Sequence, residues 1–413
     1  MRVLHVNTSE RAGGAAIAAS RLKDALNHKG VEAVLLVRDR STKSPTTIAI
    51  PQRLRLRWAF LQERLRIWIA NGFSRKNLWA VDIANAGTDI TALPVFREAD
   101  IVHLHWVNQG LLSMNQIAKI MRSGKPVVLT MHDMWWCTGI CHHACECVRF
   151  HAHCHNCPLL QHPGNHDLSY QLFAQKQATY AHADITFVGV SRWMTAQARR
   201  SALAKGHTVV TIPNIIPLRG FQPVERQTAR TKFGLPTQAA VIAFGAARID
   251  QPAKGLETLM TAVTHCKRQG IHLLLFGCLK DQTWLQRIPC PYTYVGSVDT
   301  PRALSDFYSA ADIVVNASEY ETFGLTLAEA MACGCVPVSF NRGGQTDIIT
   351  HLKNGYLAQY GDIDDLAAGI DWALDADIPA ESLRQHIATH FSEDAVAEQY
   401  IQLYQSLLKQ HLQ

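Results

Sequence analysis

Short runs of apolar residues alternate with helix-like segments along almost the whole chain, and this alternation restricts the fold more than any other feature. The runs are nearly continuous in Val, Ile and Leu, which is typical of strands buried on both faces of a parallel sheet. Segments with helical periodicity lie between them, for example at 15–28, 256–269 and 301–310. Strands are predicted at 3–6, 34–37, 101–105, 126–131, 185–190, 209–212, 241–244, 272–276, 292–295, 313–315 and 336–339.

The strands form two series, each long enough for one sheet, and a cluster of Pro and Gly residues between 213 and 223 separates them. The sequence therefore predicts an α/β protein with two doubly wound, Rossmann-like domains that face each other across a cleft. We assign residues 1–215 to the first domain and 216–385 to the second. A C-terminal helix at 386–413 is expected to pack back toward the first domain.

Charge is distributed unevenly between these halves. Residues 1–215 carry 25 basic and 13 acidic side chains, whereas the rest of the chain carries 15 and 21. A basic half suits an anionic substrate, a membrane surface or nucleic acid. It contains no basic recognition helix, RNA-binding signature or zinc-finger spacing, so a nucleic-acid partner is not predicted.

Two carboxylates, Glu321 and Glu329, flank a predicted strand-to-helix turn in the second domain. Backbone N–H groups at the start of a helix bind phosphate oxygens, and nearby carboxylates accept hydrogen bonds from sugar hydroxyls. This pattern suits a nucleotide-sugar, which has hydroxyls on both sides of a diphosphate. An ordinary acidic helix start is the alternative interpretation.

Basic residues and glycines follow other strands of both series. Arg248 and Lys254 come after the strand that ends at Phe244-Gly245, and their charges suit a diphosphate. Gly13 and Gly14 precede the first helix, where a glycine turn lets the backbone approach a ligand or simply joins strand to helix. His132 follows the strand at 126–131 and either faces the cleft or caps the next segment.

Taken together, these residues resemble the retaining glycosyltransferases of family 4, which have the GT-B fold. The resemblance extends over nearly the whole chain and includes Tyr308–Asp312, Ala330–Gly334 and Gly343-Gly344. It implies transfer of a sugar from a nucleotide-diphospho-sugar with retention of anomeric configuration.

The resemblance also implies roles for individual residues. Glu321, Arg248, Lys254 and His132 would be catalytic, and Glu329 would hold the ribose hydroxyls. No metal or other cofactor would be required for catalysis. The remaining donor-binding residues would be Thr322, Phe323, Gly324, Leu325, Gly245, Gly13 and Gly14.

Six cysteines occur in a predicted insertion at 137–158. Four of them resemble a loop of bacterial exopolysaccharide glycosyltransferases and have numbers and spacing that suit a structural zinc ion: Cys141, Cys147, Cys154 and Cys157. Free thiols and disulfides are the alternatives. Interleaved histidines leave the choice of ligands open.

The segment 53–69 mixes Arg with Trp and Leu. Such a helix lies on an anionic membrane surface or packs against its own domain with its Arg stems exposed. Because the chain starts with a strand-like segment and has no long apolar run, we expect a cytoplasmic protein. The basic first half favours, of the two alternatives, peripheral contact with the inner face of the cytoplasmic membrane.

The acceptor expected from the resemblance is a glycan, such as a lipid-linked oligosaccharide used for surface polysaccharide. Two other functions remain open: a nucleotide-sugar epimerase of the same fold and a non-catalytic glycan- or nucleotide-binding protein. A phosphorylase is less well supported, because no lysine has a recognisable pyridoxal-phosphate setting.

Overall fold

The computed structural model describes residues 1–298 and 300–411, and it divides the chain into two compact units. Unit 1 comprises Met1–Pro213 together with the residues from Ala397 onward, and unit 2 comprises Asn214–Val396. The sequence-based boundary at 215 lies two residues from this division.

Unit 1 contains a seven-stranded sheet in the order β3-β2-β1-β4-β5-β6-β7, and all its pairings are parallel. Its strands are β1 Arg2–Ser9, β2 Glu32–Asp39, β3 Thr47–Ala49, β4 Ile101–Leu104, β5 Val127–Met131, β6 Ile185–Gly189 and β7 Thr208–Thr211. Its helices before the unit boundary are α1 Gly14–His28, α2 Arg53–Ala70, α3 Pro94–Glu98, α4 Met114–Met121, α5 Leu168–Tyr180 and α6 Arg192–Arg200.

Unit 2 contains a six-stranded parallel sheet in the order β10-β9-β8-β11-β12-β13. Its strands are β8 Ala240–Arg248, β9 Ile271–Cys278, β10 Tyr292–Tyr294, β11 Ile313–Asn316, β12 Val336–Phe340 and β13 Tyr356–Ala358. The helices that follow α6 along the chain are α7 Arg226–Lys232, α8 Leu256–His265, α9 Thr283–Gln286, α10 Pro301–Ser309, α11 Leu325–Ala332, α12 Ile363–Asp375, α13 Ala380–Phe391 and α14 Glu393–His411. The last of these, α14, begins in unit 2 and continues in unit 1.

The central strands are buried along nearly their whole length, as the continuous apolar runs predicted. In β1 every residue after Arg2 is buried, and β4, β5 and β6 are buried throughout. Helices on the sheets supply the matching apolar surfaces, because an all-parallel sheet needs cover on both faces. The predicted fold class is confirmed.

One predicted helix is too long. The pattern predicted a helix over 256–269, but α8 ends at His265 and Cys266 has an extended backbone. The carboxylate of Asp371 accepts hydrogen bonds from the backbone N–H groups of Lys267 at 2.8 Å and Arg268 at 3.1 Å. These N–H groups bond to α12 instead of continuing the ladder of α8.

None of the helices in the described residues combines the length and the apolar character that crossing a bilayer requires.

Candidate active site

An ion pair joins Lys254 to Glu321 in unit 2. The Lys254 ammonium lies 2.7 Å from Oε1 of Glu321, and both side chains are partly exposed. Lys254 ends a short 3-10 turn and is followed by Gly255, which has a φ of 78°. A Cβ atom at Gly255 would lie 2.0 Å from the carbonyl oxygen of Ala317, so only glycine permits this close packing. The pair is therefore fixed by the turn after β8 and by the segment that follows β11.

Glu321 remains ionised because its neighbours outweigh its burial. Burial alone would raise the pKa of this carboxyl group. The charge of Lys254 and hydrogen bonds from Lys254, Ser318 and Asn316 hold the pKa below its ordinary value. The site thus contains a carboxylate acceptor and an ammonium donor in direct contact at neutral pH.

The turn from Glu321 to Leu325 rests on a pair of glycines from another loop. The N–H of Gly344 donates a 2.8 Å hydrogen bond to the carbonyl of Glu321. Added Cβ atoms would lie 2.4 Å from the Glu321 carbonyl oxygen at Gly343, and 2.1 Å from that of Thr322 at Gly344. Larger residues at these positions would push the turn away.

The same turn begins a helix. Gly324 has a φ of 105° and precedes α11, while Phe323 is buried against Phe391 with ring centroids 5.5 Å apart. The first N–H groups of a helix have no carbonyl partner within it. The N–H groups at the start of α11 therefore lie at a helix N-terminus, a position that favours oxygen anions. The predicted contact of Thr322, Phe323, Gly324 and Leu325 with the donor stays a prediction.

Arg248 forms a separate pair. Its Nε donates to Oδ1 of Asp250 at 2.8 Å, and the other carboxylate oxygen of Asp250 accepts from the N–H groups of Lys280 and Asp281. Burial would raise the pKa of Asp250, but the bond from Arg248 and these two N–H groups lower it. Because Arg248 is 46 % exposed, its remaining N–H donors stay accessible to solvent.

Gly245 lies on β8 just before Arg248. A Cβ atom there would lie 2.0 Å from the ring of Phe276, and the strand register shifts between Gly245 and Arg248. The glycine and the shift allow β8 to pass close to β9 where its carboxyl end supplies Arg248.

Glu329 is 5 % exposed and lies on the second turn of α11. Its charge contributes, after burial, to raising the pKa of Cys333 to about 12. The predicted contact between Glu329 and ribose hydroxyls stays a prediction.

The sequence-predicted residues of unit 1 lie at the carboxyl ends of β1 and β5. Gly13 has a φ of 90°, which favours glycine, and it is the N-cap of α1, which begins at Gly14. His132 is half-buried directly after β5, and its Nε2 lies 3.0 Å from Nδ1 of His105. The next residue, Asp133, accepts the N–H of Trp135 through Oδ1.

Behind His132 lies a buried histidine network that the sequence analysis missed. His105 bonds to His5 at 3.0 Å, while His103 bonds to Thr130 and to the hydroxyl of Tyr404 on α14, both at 2.7 Å. Burial lowers the pKa of His5 to about 3 and that of His132 to about 4. The network is therefore uncharged at neutral pH. Histidines inside the apolar runs at 3–6 and 101–105 were the available signal.

A second buried network in unit 1 is ionic. Asp82 accepts from Arg64 and from Nε2 of His142 at 2.6 Å, and Nδ1 of His142 lies 2.7 Å from Asp133. The side chain of Asp82 is fully buried and that of Arg64 is 8 % exposed. Arg64 was expected among the surface arginines of segment 53–69, and this prediction is wrong. The buried carboxylate of Asp82 requires a cation, and Arg64 supplies it from α2.

None of the six cysteines of the insertion, all of which lie in the described residues, forms a disulfide. Of the four predicted ligands, Cys141, Cys154 and Cys157 are buried and Cys147 is half-buried. Their electrostatic interactions connect all four, and burial raises the pKa of Cys154 to about 12.

The sulfur atoms do not come together at the distances that a bound metal imposes. Among the described residues, the group whose ligand atoms lie within 4.8 Å of one another is His5, His103 and His105. Zinc binding by the cysteines stays a prediction.

Two family models match the chain on either side of residue 220. The model for Glycosyltransferase Family 4 matches residues 12–219, and the model for Glycosyl transferases group 1 matches residues 225–390. The fold, with its two parallel-sheet units, agrees with these matches. The chain belongs to glycosyltransferase family 4.

Similar proteins include D-inositol 3-phosphate glycosyltransferase 2 of Catenulispora acidiphila, 32 % identical over 205 residues, or 46 % of this chain and 45 % of that protein. The D-inositol 3-phosphate glycosyltransferase of Mycolicibacterium smegmatis is 33 % identical over 181 residues, or 40 % of each chain. The chain thus spans less than half the length of these curated relatives.

Solved structures resemble the chain over nearly its whole length. Sucrose-phosphate synthase from Thermosynechococcus elongatus has a TM-score of 0.67 at 21 % identity, with 99 % of this chain and 100 % of that chain covered. HepE of Anabaena, in complex with UDP and glucose, has a TM-score of 0.65 at 16 % identity, with 98 % and 100 % covered. These likenesses establish the GT-B fold.

Proposed function

We propose that the protein transfers a sugar from a nucleotide-diphospho-sugar to a glycan acceptor, with retention of anomeric configuration and without a catalytic metal. The observation that carries this proposal is the contact between Lys254 and Glu321 beside the N-terminus of α11. This place brings together three groups that suit a nucleotide-sugar: a carboxylate for sugar hydroxyls, an ammonium for the diphosphate, and helix amides for the same diphosphate.

In the proposed step, the bond between the anomeric carbon and the diphosphate oxygen breaks, and a bond to the acceptor hydroxyl oxygen forms on the same face. The acceptor proton passes to the leaving diphosphate, which departs as a nucleoside diphosphate. Negative charge grows on the diphosphate as the bond breaks. Lys254, Arg248 and the amides at α11 stabilise that charge, which is the largest contribution expected in such catalysis.

The ion pair has a consequence for donor binding. In the free protein Lys254 is neutralised by Glu321, so the site does not hold an isolated cation. A bound donor would divide the pair, with Glu321 accepting from the sugar hydroxyls and Lys254 donating to the diphosphate. Glu329 would accept from the ribose, and His132 in unit 1 would donate to the transferred sugar or a phosphate oxygen.

For the acceptor we propose a lipid-linked oligosaccharide used in surface polysaccharide. A cavity of about 190 Å³ in unit 1 supports a polyhydroxylated acceptor, because side-chain amides and an arginine line it: Arg66, Asn85, Asn115, Gln171 and Gln175. Amide groups both donate and accept hydrogen bonds, as sugar hydroxyls do.

A phosphorylated polyol is a second candidate acceptor. It is favoured by the names of the relatives from C. acidiphila and M. smegmatis, which specify inositol 3-phosphate. Supplying either acceptor with the same donor would separate the two, because only the true acceptor yields a glycosylated product.

We also propose a structural zinc ion in the cysteine loop. Four thiols suit a closed tetrahedral site, and the buried amine of Lys176 lies nearby, with a pKa that burial lowers to about 7. The ammonium of Lys176 donates to the carbonyls of Trp135, Thr138 and Gly139, and it interacts electrostatically with Cys141 and Cys154. A zinc ion bound by four thiolates carries a net charge of about −2, which this ammonium would partly balance. The sulfurs would have to move together on binding.

The donor site is tested by measuring nucleotide-sugar turnover and nucleoside-diphosphate affinity in Lys254→Ala, Arg248→Ala and Glu329→Ala. We expect the first two to lower kcat roughly 100- to 1,000-fold, since each removes a group that stabilises transition-state charge. Glu329→Ala should weaken nucleoside-diphosphate binding by about 1–3 kcal/mol, because ribose hydroxyls lose their acceptor.

Lys353→Ala is the matched control, because Lys353 is an exposed lysine of the same unit. Wild-type turnover in both Lys254→Ala and Arg248→Ala would refute the proposed site. Isomerised donor in the absence of acceptor would instead identify an epimerase. Donor binding without any turnover, with every acceptor supplied, would identify a binding protein.

A further inference from the structure

Helix α2 has two apolar faces, and only one of them is covered by the protein. The inner face consists of Leu56, Ala59 and Ile67, all buried. The outer face is a row of large exposed side chains, here called the outer row: Leu54, Trp58, Leu61, Leu65 and Ile69, which are 51–74 % exposed. A helix at the surface of a globular domain normally exposes polar residues on its outer face, so this row requires an explanation.

The helix is firmly seated through its inner face. Oε1 of the buried Glu63 accepts from the N–H groups of Ile83 at 2.9 Å and Ala84 at 2.7 Å. A Cβ atom at Gly110 would lie 2.4 Å from the backbone nitrogen of Phe60, so the loop at Gly110 contacts the helix backbone directly. The outer row cannot turn inward without breaking these contacts.

Arginines border the outer row on both sides. With roughly 100° per residue, the five apolar side chains occupy an arc of about 80°. On the same wheel Arg57 lies beyond one edge of the arc, and Arg55 and Arg66 lie beyond the other. All three are exposed. Long arginine stems flanking an apolar arc can reach upward to phosphate groups while the arc is buried.

The surface around the helix carries one sign of charge. Residues 53–80 contain seven basic residues and a single acidic one, Glu63, which is buried. Two further exposed aromatic side chains, Phe73 and Trp79, follow the helix near Arg75 and Lys76. Aromatic rings of this kind are enriched at the level of lipid headgroups.

We propose that α2 docks peripherally on an anionic lipid bilayer, with the outer row inserted at the boundary between headgroups and acyl chains. A second copy of the chain is the other occupant that an apolar face suggests. Self-association through the same face would place Arg55, Arg57 and Arg66 opposite the same arginines of the partner, which is unfavourable. An anionic membrane supplies the complementary charge and an apolar interior together.

The test is co-sedimentation of the full chain with vesicles of phosphatidylcholine alone and with vesicles that also contain phosphatidylglycerol. No nucleotide or sugar is added, so the result is independent of the proposed transferase activity. Changing Arg55, Arg57 and Arg66 to Gln should lower partitioning onto the anionic vesicles roughly 100-fold, or about fivefold per arginine. Partitioning should also fall as salt rises, because surface attraction is screened.

The apolar part is tested by Trp58→Ser combined with Leu61→Ser and Leu65→Ser. We expect partitioning onto both kinds of vesicle to fall at least about tenfold, because the buried apolar area is lost. These side chains are exposed, so thermal unfolding should be unchanged. The matched charge control is Arg97→Gln with Arg122→Gln and Arg200→Gln, three exposed arginines elsewhere in unit 1, and it should partition like wild type.

Three outcomes would overturn the proposal. The first is that the variants changed at Arg55, Arg57 and Arg66 and at Trp58, Leu61 and Leu65 both sediment like wild type. The second is that the wild type does not sediment with anionic vesicles. The third is a dimer detected by light scattering without lipid that the Trp58 triple variant abolishes, because the outer row would then be covered by a second copy.

Discussion

The two units have parallel sheets of similar design, but the carboxyl edges of these sheets differ in charge. In unit 1 the edge is backed by neutral histidines and tyrosines, which bond to one another in the interior. In unit 2 the edge carries Lys254, Glu321, Arg248 and Asp250. All four are ionic, and all except the buried Asp250 are at least partly exposed. One architecture therefore supports either a buried uncharged network or an accessible charged site, depending on a few residues after each strand.

The comparison extends to stability. Unit 1 also buries the ion pair of Arg64 with Asp82, which bonds to His142 as well, whereas the pair of Arg226 with Asp312 in unit 2 is more exposed. The stability of unit 1 should consequently fall more than that of unit 2, both on acidification and on removal of a single charged side chain.

The largest difference is expected on acidification. The buried histidines have pKa values of about 3 for His5 and about 4 for His132, below the ordinary value, because burial disfavours their charged form. The unfolded chain therefore binds protons first, and the stabilisation present above pH 6.5 is lost as pH falls. At pH 5 each of these two histidines should cost about 2 kcal/mol of stability, and His103 and His105, whose pKa values burial also lowers, add to this loss.

Two measurements between pH 8 and pH 5 test this effect. Thermal unfolding of the full chain gives the total loss of stability, and hydrogen exchange, corrected for its intrinsic pH dependence, shows which unit loses it. Peptides from β1 and β4 should lose protection at pH values where peptides from β8 and β11 keep it. Equal loss in both units would contradict the prediction.

Removing one buried charge should have the next largest effect. Arg64→Ala leaves the fully buried carboxylate of Asp82 without its guanidinium, so we expect a loss of about 3–5 kcal/mol in the free energy of unfolding. Arg226→Ala is the matched change in unit 2. Arg226 is 54 % exposed, and Asp312 retains Arg230, so the loss there should be about 0–1 kcal/mol.

Denaturant unfolding of both variants decides the matter. If Arg64→Ala and Arg226→Ala lower the free energy of unfolding by similar amounts, the burial of the Arg64 network does not distinguish the two units.

The proposed zinc ion should give the smallest of the three effects. The cysteine loop is also held by Lys176 and by the bond from Ser201 to the carbonyl of Cys137, so it does not depend on a metal alone. Free zinc at about 100 times its dissociation constant would contribute about 2.7 kcal/mol, and a chelator should remove this from unit 1 only.

Elemental analysis of protein purified under reducing conditions should find about one zinc per chain. The variant Cys154→Ser with Cys157→Ser should lack it, whereas Cys266→Ser, in unit 2, should keep it. If the purified protein contains no metal and a chelator does not change its stability, the cysteines are free thiols and the zinc proposal is wrong.

The sequence predicted the central strands well because burial on both faces imposes continuous apolar runs. Of the four edge strands in the described residues, β7 and β10 were predicted, but β3 and β13 were missed. Each has three residues, and in neither are all three buried, so no such run is present. The end of α8 depended on Asp371, which is over 100 residues away and invisible to local periodicity.

The site shows the same limit. Motifs selected Lys254 and Glu321 separately, but their contact depends on Gly255 fitting against Ala317. Arg64 and Arg66 look alike in the sequence of α2. Only Asp82, brought close by the fold, shows that Arg64 points inward.

The last helix, α14, has a consequence for the order in which the protein can be made. It begins in unit 2, but from Ala397 it belongs to unit 1, where Tyr400 bonds to Thr130 and Tyr404 to His103. A nascent chain that has completed residue 213 still lacks these partners. At about 5–20 residues per second, roughly 10–40 s pass before they are synthesised, and unit 2 emerges complete in the meantime. Unit 1, which is encoded first, is thus completed last. A chain released before α14 is synthesised contains the sheet of unit 1, but His103 lacks its hydrogen-bond partner Tyr404.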